Sequence, residues 1–150
     1  MGNDFLYNNA RMISYFAVIL LLIAASIVDI REHRIPDKLV LTGAIAGLIL
    51  SSAGPPGGLL NSFVGGTSAV IIFLLIYCIT RGGIGFGDVK LFGCTGVYLG
   101  LENVVSVMLI ATVLSGLYGI VLICINRDNK GRELPFAPFI LIGTLVVIVF

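Results

Sequence analysis

The chain has 150 residues, of which 58% are apolar and 11% are charged, and its formal net charge is +1. Soluble globular domains carry about 25% charged residues, so this composition excludes an ordinary soluble domain and favours a protein embedded in lipid. The small net charge, without a basic patch interleaved with aromatic residues, excludes nucleic acid as a partner. The three cysteines stand far apart with no C-x-x-C pair, which excludes a zinc site built on cysteines.

Six apolar segments stand out when the chain is measured against the roughly 20 residues that a helix needs to span a bilayer. We therefore predict an all-α membrane protein with a bundle of about six transmembrane helices, forming a single membrane-embedded domain over residues 1–150. The segments run from Ile13 to Val28, Leu39 to Ala53, Leu59 to Thr80, Val89 to Leu101, Val104 to Ile125 and Phe136 to Phe150.

Basic residues predict how this bundle lies in the membrane. They fall in the first, third and fifth connections, whereas the second and fourth connections contain no Lys or Arg. The positive-inside rule then places the odd connections in the cytoplasm and both termini outside, and only Arg11 disagrees. The residues that decide the orientation are Arg31, Arg34, Lys38, Arg81, Lys90, Arg127, Lys130 and Arg132.

Small residues recur at helical spacing and predict close packing between helices. Gly43 and Gly47 form one such pair, and Gly96 and Gly100 form another. Small side chains allow helix backbones to approach each other within a membrane, so we expect these positions to lie at helix contacts. The same expectation applies to Gly93, Gly116 and Gly119.

Asp29 lies directly at the end of the first apolar segment. Pro36, a few residues later, does not continue a helix easily and biases Ile35 towards an extended backbone, so the chain turns close to Asp29. A carboxylate at this position has two interpretations. It is either a hydrated interfacial charge paired with Arg31 or Arg34, or a functional group held at membrane depth.

Asp88 follows a glycine-rich run between two apolar segments. Gly82, Gly83, Gly85 and Gly87 precede it within six residues, and such a run permits positive φ angles and close approach of another backbone. This is the space that an extended peptide substrate needs beside a catalytic group. A phosphate-binding loop is excluded, because its Lys and Ser/Thr are missing and an acid would repel the anion.

The predicted topology puts Asp29 and Asp88 on the same side of the membrane, as a catalytic pair requires. Two neighbouring carboxylates share one proton, so one can accept a proton from water while the other hydrogen-bonds the scissile carbonyl group. Asp88 would open a helix, whose positive end favours a negative charge, and Asp29 would close one. We therefore hypothesise that Asp88 acts as the base and Asp29 as the acid.

Three runs of residues together resemble the prepilin peptidases, the type IV leader peptidases of bacteria, over nearly the whole chain. They are Asp29 to Asp37, the G-x-G-D run Gly85-Phe86-Gly87-Asp88 with Val89-Lys90, and Leu134-Pro135-Phe136-Ala137-Pro138-Phe139. The resemblance implies an aspartic endopeptidase of the bacterial inner membrane that needs no metal or other cofactor. It would cut the short basic leader of prepilin-like proteins on the cytoplasmic side, just after a glycine.

The resemblance also assigns roles to individual residues. Asp29 and Asp88 correspond to the catalytic pair, and Gly85 and Gly87 are the glycines of the motif. Pro36, Pro135 and Pro138 would lie near the substrate, the last two shaping the start of the final helix. The implied partners are the helix of a prepilin or pseudopilin and the lipid bilayer, and the oligomeric state stays open.

One departure concerns a second activity. Larger prepilin peptidases begin with a cytoplasmic domain that carries paired C-x-x-C motifs, and they also N-methylate the cleaved pilin. This sequence contains no C-x-x-C motif, so we do not expect methyl transfer. The chain resembles instead the short, peptidase-only form found with tight-adherence (Flp) pili.

Two other functions remain open from the residues alone. A small proton-linked carrier or channel subunit would also use acids at membrane depth. A non-catalytic assembly protein of a pilus or secretion apparatus is the other alternative. Lys90 likewise has two interpretations, because it could stabilise an ionised Asp88 or serve as a cytoplasmic anchor.

Overall fold

The computed structural model describes residues 2–52, 58–81, 83–125 and 134–150, with side chains from Tyr7 onward. These residues form five α-helices, and no strand occurs among them. The predicted all-α architecture is confirmed. The helices are α1 (Gly2–Glu32), α2 (Asp37–Ser52), α3 (Gly58–Ile79), α4 (Phe86–Ile125) and α5 (Ala137–Val149).

Three helices are long and apolar enough to cross a membrane: α3, α4, and α1 from Tyr7 to Glu32. The other two, α2 and α5, have 16 and 13 residues. At the helical rise they are about 24 and 20 Å long, less than the roughly 30 Å of bilayer hydrocarbon. Large apolar side chains cover the outer faces, with Phe16 and Leu109 each 65% exposed. An apolar exterior of this extent suits lipid rather than water, so the chain is a membrane protein.

α4 contains a break at Gly100, whose φ of 77° and ψ of 177° are not helical. The sequence predicts two segments here, one ending at Leu101 and the next starting at Val104, and the break at Gly100 divides the 40-residue α4 into two helical halves close to that boundary. The described residues therefore contain five helices, of which α4 is interrupted. At the break the Leu101 backbone N–H donates to Oδ1 of Asn61 at 3.3 Å, which replaces a partner within the helix.

Glycines bring the backbones of α3 and α4 into direct contact. A Cβ atom on Gly65 would lie 2.6 Å from the carbonyl oxygen of Gly96, and one on Gly66 would lie 3.1 Å from that of Gly93. These distances leave no room for a larger residue at the crossing. The packing predicted for Gly93, Gly96 and Gly100 is confirmed, and the sequence analysis does not identify their partners Gly65 and Gly66.

The other predicted glycine contacts have mixed outcomes. A Cβ atom on Gly47 would lie 2.9 Å from Cε2 of Tyr98, and one on Gly43 would overlap a side chain of α1, so both lie at the close contacts expected of them. Among the described residues, Gly116 has no atom within 4 Å of such a Cβ, and Gly119 has only an ordinary contact. The prediction is wrong for Gly116, because the second half of α4 presents that side to the exterior.

A cluster of aromatic rings joins α3, α4 and α5 in the core. Phe73 and Phe92 stack with their ring centroids 3.9 Å apart, and Phe136 lies 5.8 Å from Phe92 and 6.4 Å from Phe73. Such pairs contribute about 0.5–1.5 kcal/mol each beyond the burial of their surface. Because Phe136 directly precedes α5, the cluster holds the start of that helix against α3 and α4.

Some predicted features lie outside the described residues. They include Gly82 of the glycine run, Ala53 at the end of the second predicted segment, and the basic residues Arg127, Lys130 and Arg132 of the fifth connection. The orientation of the termini, which depends partly on those residues, stays a prediction.

Candidate active site

Asp29 occupies the last turn of α1. Its backbone carbonyl oxygen accepts a hydrogen bond from the N–H of His33 at 2.9 Å, and His33, with a φ of 50°, turns the chain out of the helix. The side chain of Asp29 is only 6% exposed. Its Oδ2 accepts a hydrogen bond of 2.9 Å from the backbone N–H of Ala137, the first residue of α5. Asp29 therefore joins the end of α1 to the beginning of α5.

Asp88 occupies the first turn of α4 and is 9% exposed. Its backbone N–H donates to the carbonyl oxygen of Gly85 at 3.0 Å, and the backbone of Gly85 also interacts with its carboxylate. The carboxylates of Asp29 and Asp88 lie close enough to interact electrostatically. The fold thus brings together the two acids that the sequence singles out.

The burial of this pair decides between the two interpretations of Asp29. Among the residues that the structure describes, Asp29 and Asp88 are the only buried charged side chains. Neither Arg31 nor Arg34 forms an ion pair with Asp29, and both are exposed. Buried charges are costly unless hydrogen bonds compensate them, so a hydrated surface acid is the wrong description of Asp29.

The two glycines of the G-x-G-D run have different neighbours. A Cβ atom on Gly85 would lie 3.0 Å from Oδ2 of Asp88, whereas one on Gly87 would lie 3.3 Å from Cβ of Ile35. Gly85 therefore leaves room for the carboxylate itself. Gly87 leaves room for Ile35 in the turn that follows Asp29. The motif therefore allows the start of α4 to pack closely against the end of α1.

The three prolines that the resemblance places near the substrate all lie at helix starts. Pro36 directly precedes α2, and its carbonyl oxygen accepts hydrogen bonds from the first turn of that helix at 3.0 and 3.3 Å. Pro135 and Pro138 flank the first residue of α5, where the fixed φ of proline suits the first helical turn. The expected position of the C-terminal motif at the start of the last helix is therefore observed, and the Ala137 N–H brings it to Asp29.

Lys90 takes a partner that the sequence analysis does not foresee. Its Nζ donates to Oδ1 of Asp37 at 2.7 Å, and it also lies 4.8 Å from the centre of the Phe86 ring. Lys90 therefore pairs with Asp37 rather than with Asp88. The ion pair connects the first residue of α2 to the first turn of α4, beside the two buried acids.

Helix ends do not distinguish the two carboxylates as the sequence suggested. Asp88 lies at the N-terminus of α4, but Asp29 receives an N–H from the N-terminus of α5. Asp29 closes α1 as expected, but both acids also meet a helix end that favours negative charge, so helix ends alone do not assign the base, and the role of Asp88 stays a prediction. Only the tertiary structure brings α5 to this position.

Few other polar groups are buried in the described part of the chain. The hydroxyl groups of Ser26, one turn before Asp29, and of Thr144 on α5 have no hydrogen-bond partner. In the same described ranges, no group of three or more His, Cys, Asp or Glu side chains comes together that could hold a metal ion. The chemistry offered by this site is that of the two carboxylates.

Comparison with known proteins assigns the chain to a family. The type IV leader peptidase family matches residues 16–120, which include both aspartates and both motif glycines. The chain belongs to this family. The matched stretch ends before α5, so the contact between α5 and Asp29 is an observation of the structure and not of that match.

Three relatives share the name prepilin leader peptidase/N-methyltransferase. The Burkholderia pseudomallei (strain K96243) protein is 33% identical over 143 residues, covering 90% of this chain and 45% of its own length. The Bacillus subtilis (strain 168) protein is 33% identical over 135 residues, which cover 87% of this chain and 52% of that protein. The Pseudomonas putida protein is 29% identical over 134 residues, which cover 86% of this chain and 46% of that protein. The chain thus spans about half the length of these relatives, and no solved structure matches it.

Proposed function

We propose that this chain is a membrane-embedded aspartic endopeptidase that removes the leader peptide of type IV prepilin-like proteins. Asp29 and Asp88 form its catalytic pair. The observation that carries the proposal is the meeting of two buried carboxylates, from the end of α1 and the start of α4, within electrostatic reach of each other. Membership of the leader peptidase family supplies the substrate class.

The proposed chemistry follows from two acids that share a proton. One carboxylate accepts a proton from water, whose oxygen attacks the scissile carbonyl carbon, while the protonated acid hydrogen-bonds the carbonyl oxygen. The tetrahedral intermediate then collapses as the leaving nitrogen takes the proton that the first carboxylate accepted from water, and the C–N bond breaks. Because α4 and α5 each direct an N-terminus at one acid, we leave the two roles unassigned between Asp29 and Asp88.

We further propose a single membrane domain whose catalytic end faces the cytoplasm of a bacterial cell, in the inner membrane. The basic residues Arg31, Arg34, Lys38 and Arg81 cluster at the end of the bundle that holds the two acids, in agreement with the positive-inside rule. If both halves of α4 cross the bilayer, the five helices give six crossings and both termini lie outside. Reporter fusions at the two termini would test this orientation.

The decisive experiment is the replacement of each acid by its amide. We expect Asp29→Asn and Asp88→Asn each to lower the cleavage of a co-expressed prepilin at least about 100-fold, because each removes one member of the acid–base pair. The readout is the ratio of cleaved to uncleaved prepilin over time. The prepilin should carry a short basic leader that ends in glycine before its apolar helix.

Asp37→Asn is the matched control. Asp37 lies at the same end of the bundle and is also an acid, but its side chain is 75% exposed and pairs with Lys90. We expect this variant to cleave at nearly the normal rate. The proposal fails if Asp88→Asn processes prepilin at the normal rate. If the chain were a proton-linked carrier, the Asn variants would instead lose pH-dependent flux. If it were a non-catalytic assembly protein, they would keep their binding partners.

The absence of methyl transfer stays a separate prediction. The relatives' name couples the peptidase to an N-methyltransferase, and the site described above accounts for peptide hydrolysis alone. Mass spectrometry of the cleaved pilin's new N-terminus would test it. A methylated terminus, formed by the purified chain with a methyl donor, would contradict the prediction without touching the peptidase proposal.

A further inference from the structure

A polar cavity lies at the end of the bundle opposite to the two acids. It has a volume of about 270 Å³ and is lined by the first part of α1, the end of α2, the start of α3, and α4 just before its break. Arg11 lies 18 residues before Asp29 on α1, which places the two ends about 27 Å apart along the helix axis. The cavity is therefore a separate site, roughly one hydrocarbon thickness from the catalytic end. The polar side chains that line it include Tyr7, Asn8, Arg11, Ser51, Asn61 and Tyr98.

Arg11 gives this cavity a positive charge. Its guanidinium group lies 6.0 Å from the centre of the Tyr15 ring, and it forms no ion pair with any residue that the structure describes. None of the described residues that line the cavity is Asp or Glu. An arginine that lies beside a polar hollow without a carboxylate partner offers its fork of N–H donors to an anion.

Amide groups add further donors to the same hollow. Asn61 uses its Oδ1 to accept from the Leu101 backbone, which leaves the Nδ2 group without a partner among the described residues. Asn8 is exposed at the rim. Arginine and amide donors without a neighbouring acid are the groups that recognise a phosphate.

The position along the chain indicates that the phosphate belongs to a lipid. The apolar face of α1 begins immediately after Arg11, with Met12 69% and Ile13 55% exposed. Tyr7, Tyr15 and Tyr98 lie around the cavity, as tyrosines do at the boundary between lipid and water. A ligand seated here would have its polar end in the cavity and its apolar part along exposed hydrophobic side chains.

We propose that this cavity binds the phosphate of an anionic phospholipid headgroup, in the leaflet opposite to the catalytic end, with Arg11 as the principal ligand. This explains why a basic residue is present at an end of the bundle that otherwise lacks Lys and Arg. The inference does not depend on the peptidase proposal, since it concerns a different set of residues.

The test measures lipid binding by the full chain purified in detergent. Thermal unfolding is followed with a thiol-reactive dye on Cys94, which is 2% exposed, after the exposed Cys78 and Cys124 are replaced by serine. Phosphatidylglycerol should raise the unfolding temperature, whereas phosphatidylcholine with the same acyl chains should not. Glycerol phosphate, the soluble headgroup, should have no effect at the same concentration.

Variants then locate the effect. We expect Arg11→Gln to weaken the binding of phosphatidylglycerol at least about tenfold, since it removes a charge-assisted hydrogen bond, and to leave unfolding without lipid unchanged. Arg11→Lys should keep part of the affinity, because it retains the charge but not the fork. Arg34→Gln, an exposed arginine at the catalytic end, is the matched control and should bind normally.

Three results would overturn the proposal. One is equal stabilisation by phosphatidylglycerol and phosphatidylcholine, and another is an equal loss of binding in Arg11→Gln and Arg34→Gln. The third is an effect of glycerol phosphate as large as that of phosphatidylglycerol, which would mean that the ligand is a soluble phosphate ester and not a lipid. If Arg11→Gln does not fold, Asn8→Ala, at the exposed rim, serves in its place with a smaller expected loss.

Discussion

Polar groups lie at both ends of the bundle, but they are buried at one end and exposed at the other. At the catalytic end two carboxylates are buried, each beside the N-terminus of a helix. At the other end an exposed arginine lies on the wall of an open cavity. Burial makes the acids depend on the exact meeting of α1, α4 and α5, whereas the arginine needs only the rim of the bundle. The first arrangement suits acid–base chemistry between two carboxylates that share a proton, and the second suits reversible binding.

The connection between the two ends runs through α4. Its first turn carries Asp88, its middle packs on the glycines of α3, and its break at Gly100 leads to Asn61 and the cavity. Mutations along this helix therefore show whether the two ends are structurally independent.

Gly100→Ala should have the largest effect of the substitutions along α4. The backbone of Gly100 lies in a region that only glycine adopts readily, and an added Cβ would overlap the amide of Asn61. Strain and loss of the Asn61–Leu101 hydrogen bond should lower the free energy of unfolding by about 3 kcal/mol. Thermal unfolding of the purified variant measures this.

Gly116→Ala is the control for that variant on the same helix. No atom lies within 4 Å of its added Cβ, so alanine should be neutral or stabilise by up to about 1 kcal/mol. If the two ends are independent, folded Gly100→Ala should still cleave prepilin at the normal rate per molecule. A fall in that rate would show that the break also positions Asp88, and the contrast between the ends would have to be revised.

Gly85→Ala should come next, with an effect on activity rather than stability. Its Cβ would lie 3.0 Å from Oδ2 of Asp88, so the carboxylate must move, and a displaced catalytic group costs about 100-fold in rate. In Gly87→Ala the new atom meets the side chain of Ile35 at 3.3 Å, which can shift slightly, so we expect a loss of less than about tenfold. Prepilin cleavage rates of the two variants, measured beside their unfolding temperatures, give the comparison. Equal losses would contradict the separate roles of the two glycines.

The Lys90–Asp37 ion pair should contribute least. The two side chains are 35% and 75% exposed, so water and salt screen their attraction. A double-mutant cycle with Lys90→Met and Asp37→Asn should give a coupling energy of about 0.2–1 kcal/mol in unfolding, falling at high salt. A larger, salt-independent coupling would mean that this pair helps to hold the catalytic end closed.

Sequence reasoning is most successful where the local pattern fixes the result. Apolar segments predict helices because a backbone in lipid must satisfy its hydrogen bonds within itself. Asp29 and Asp88 are recognisable because acids at membrane depth are rare and costly, and because each stands in a family motif. The contact sites of Gly93 and Gly96 follow from the same small-residue spacing that misleads at Gly116, since spacing does not say which face of a helix meets a neighbour.

What the sequence alone determines is therefore the helical class, the lipid environment, the family motifs and the identity of the two acids. The tertiary structure decides what surrounds them: the α5 amide that reaches Asp29, the pairing of Lys90 with Asp37, and the cavity beside Arg11. These contacts join residues that are distant in the chain, and they depend on how the helices pack rather than on the preference of any one segment.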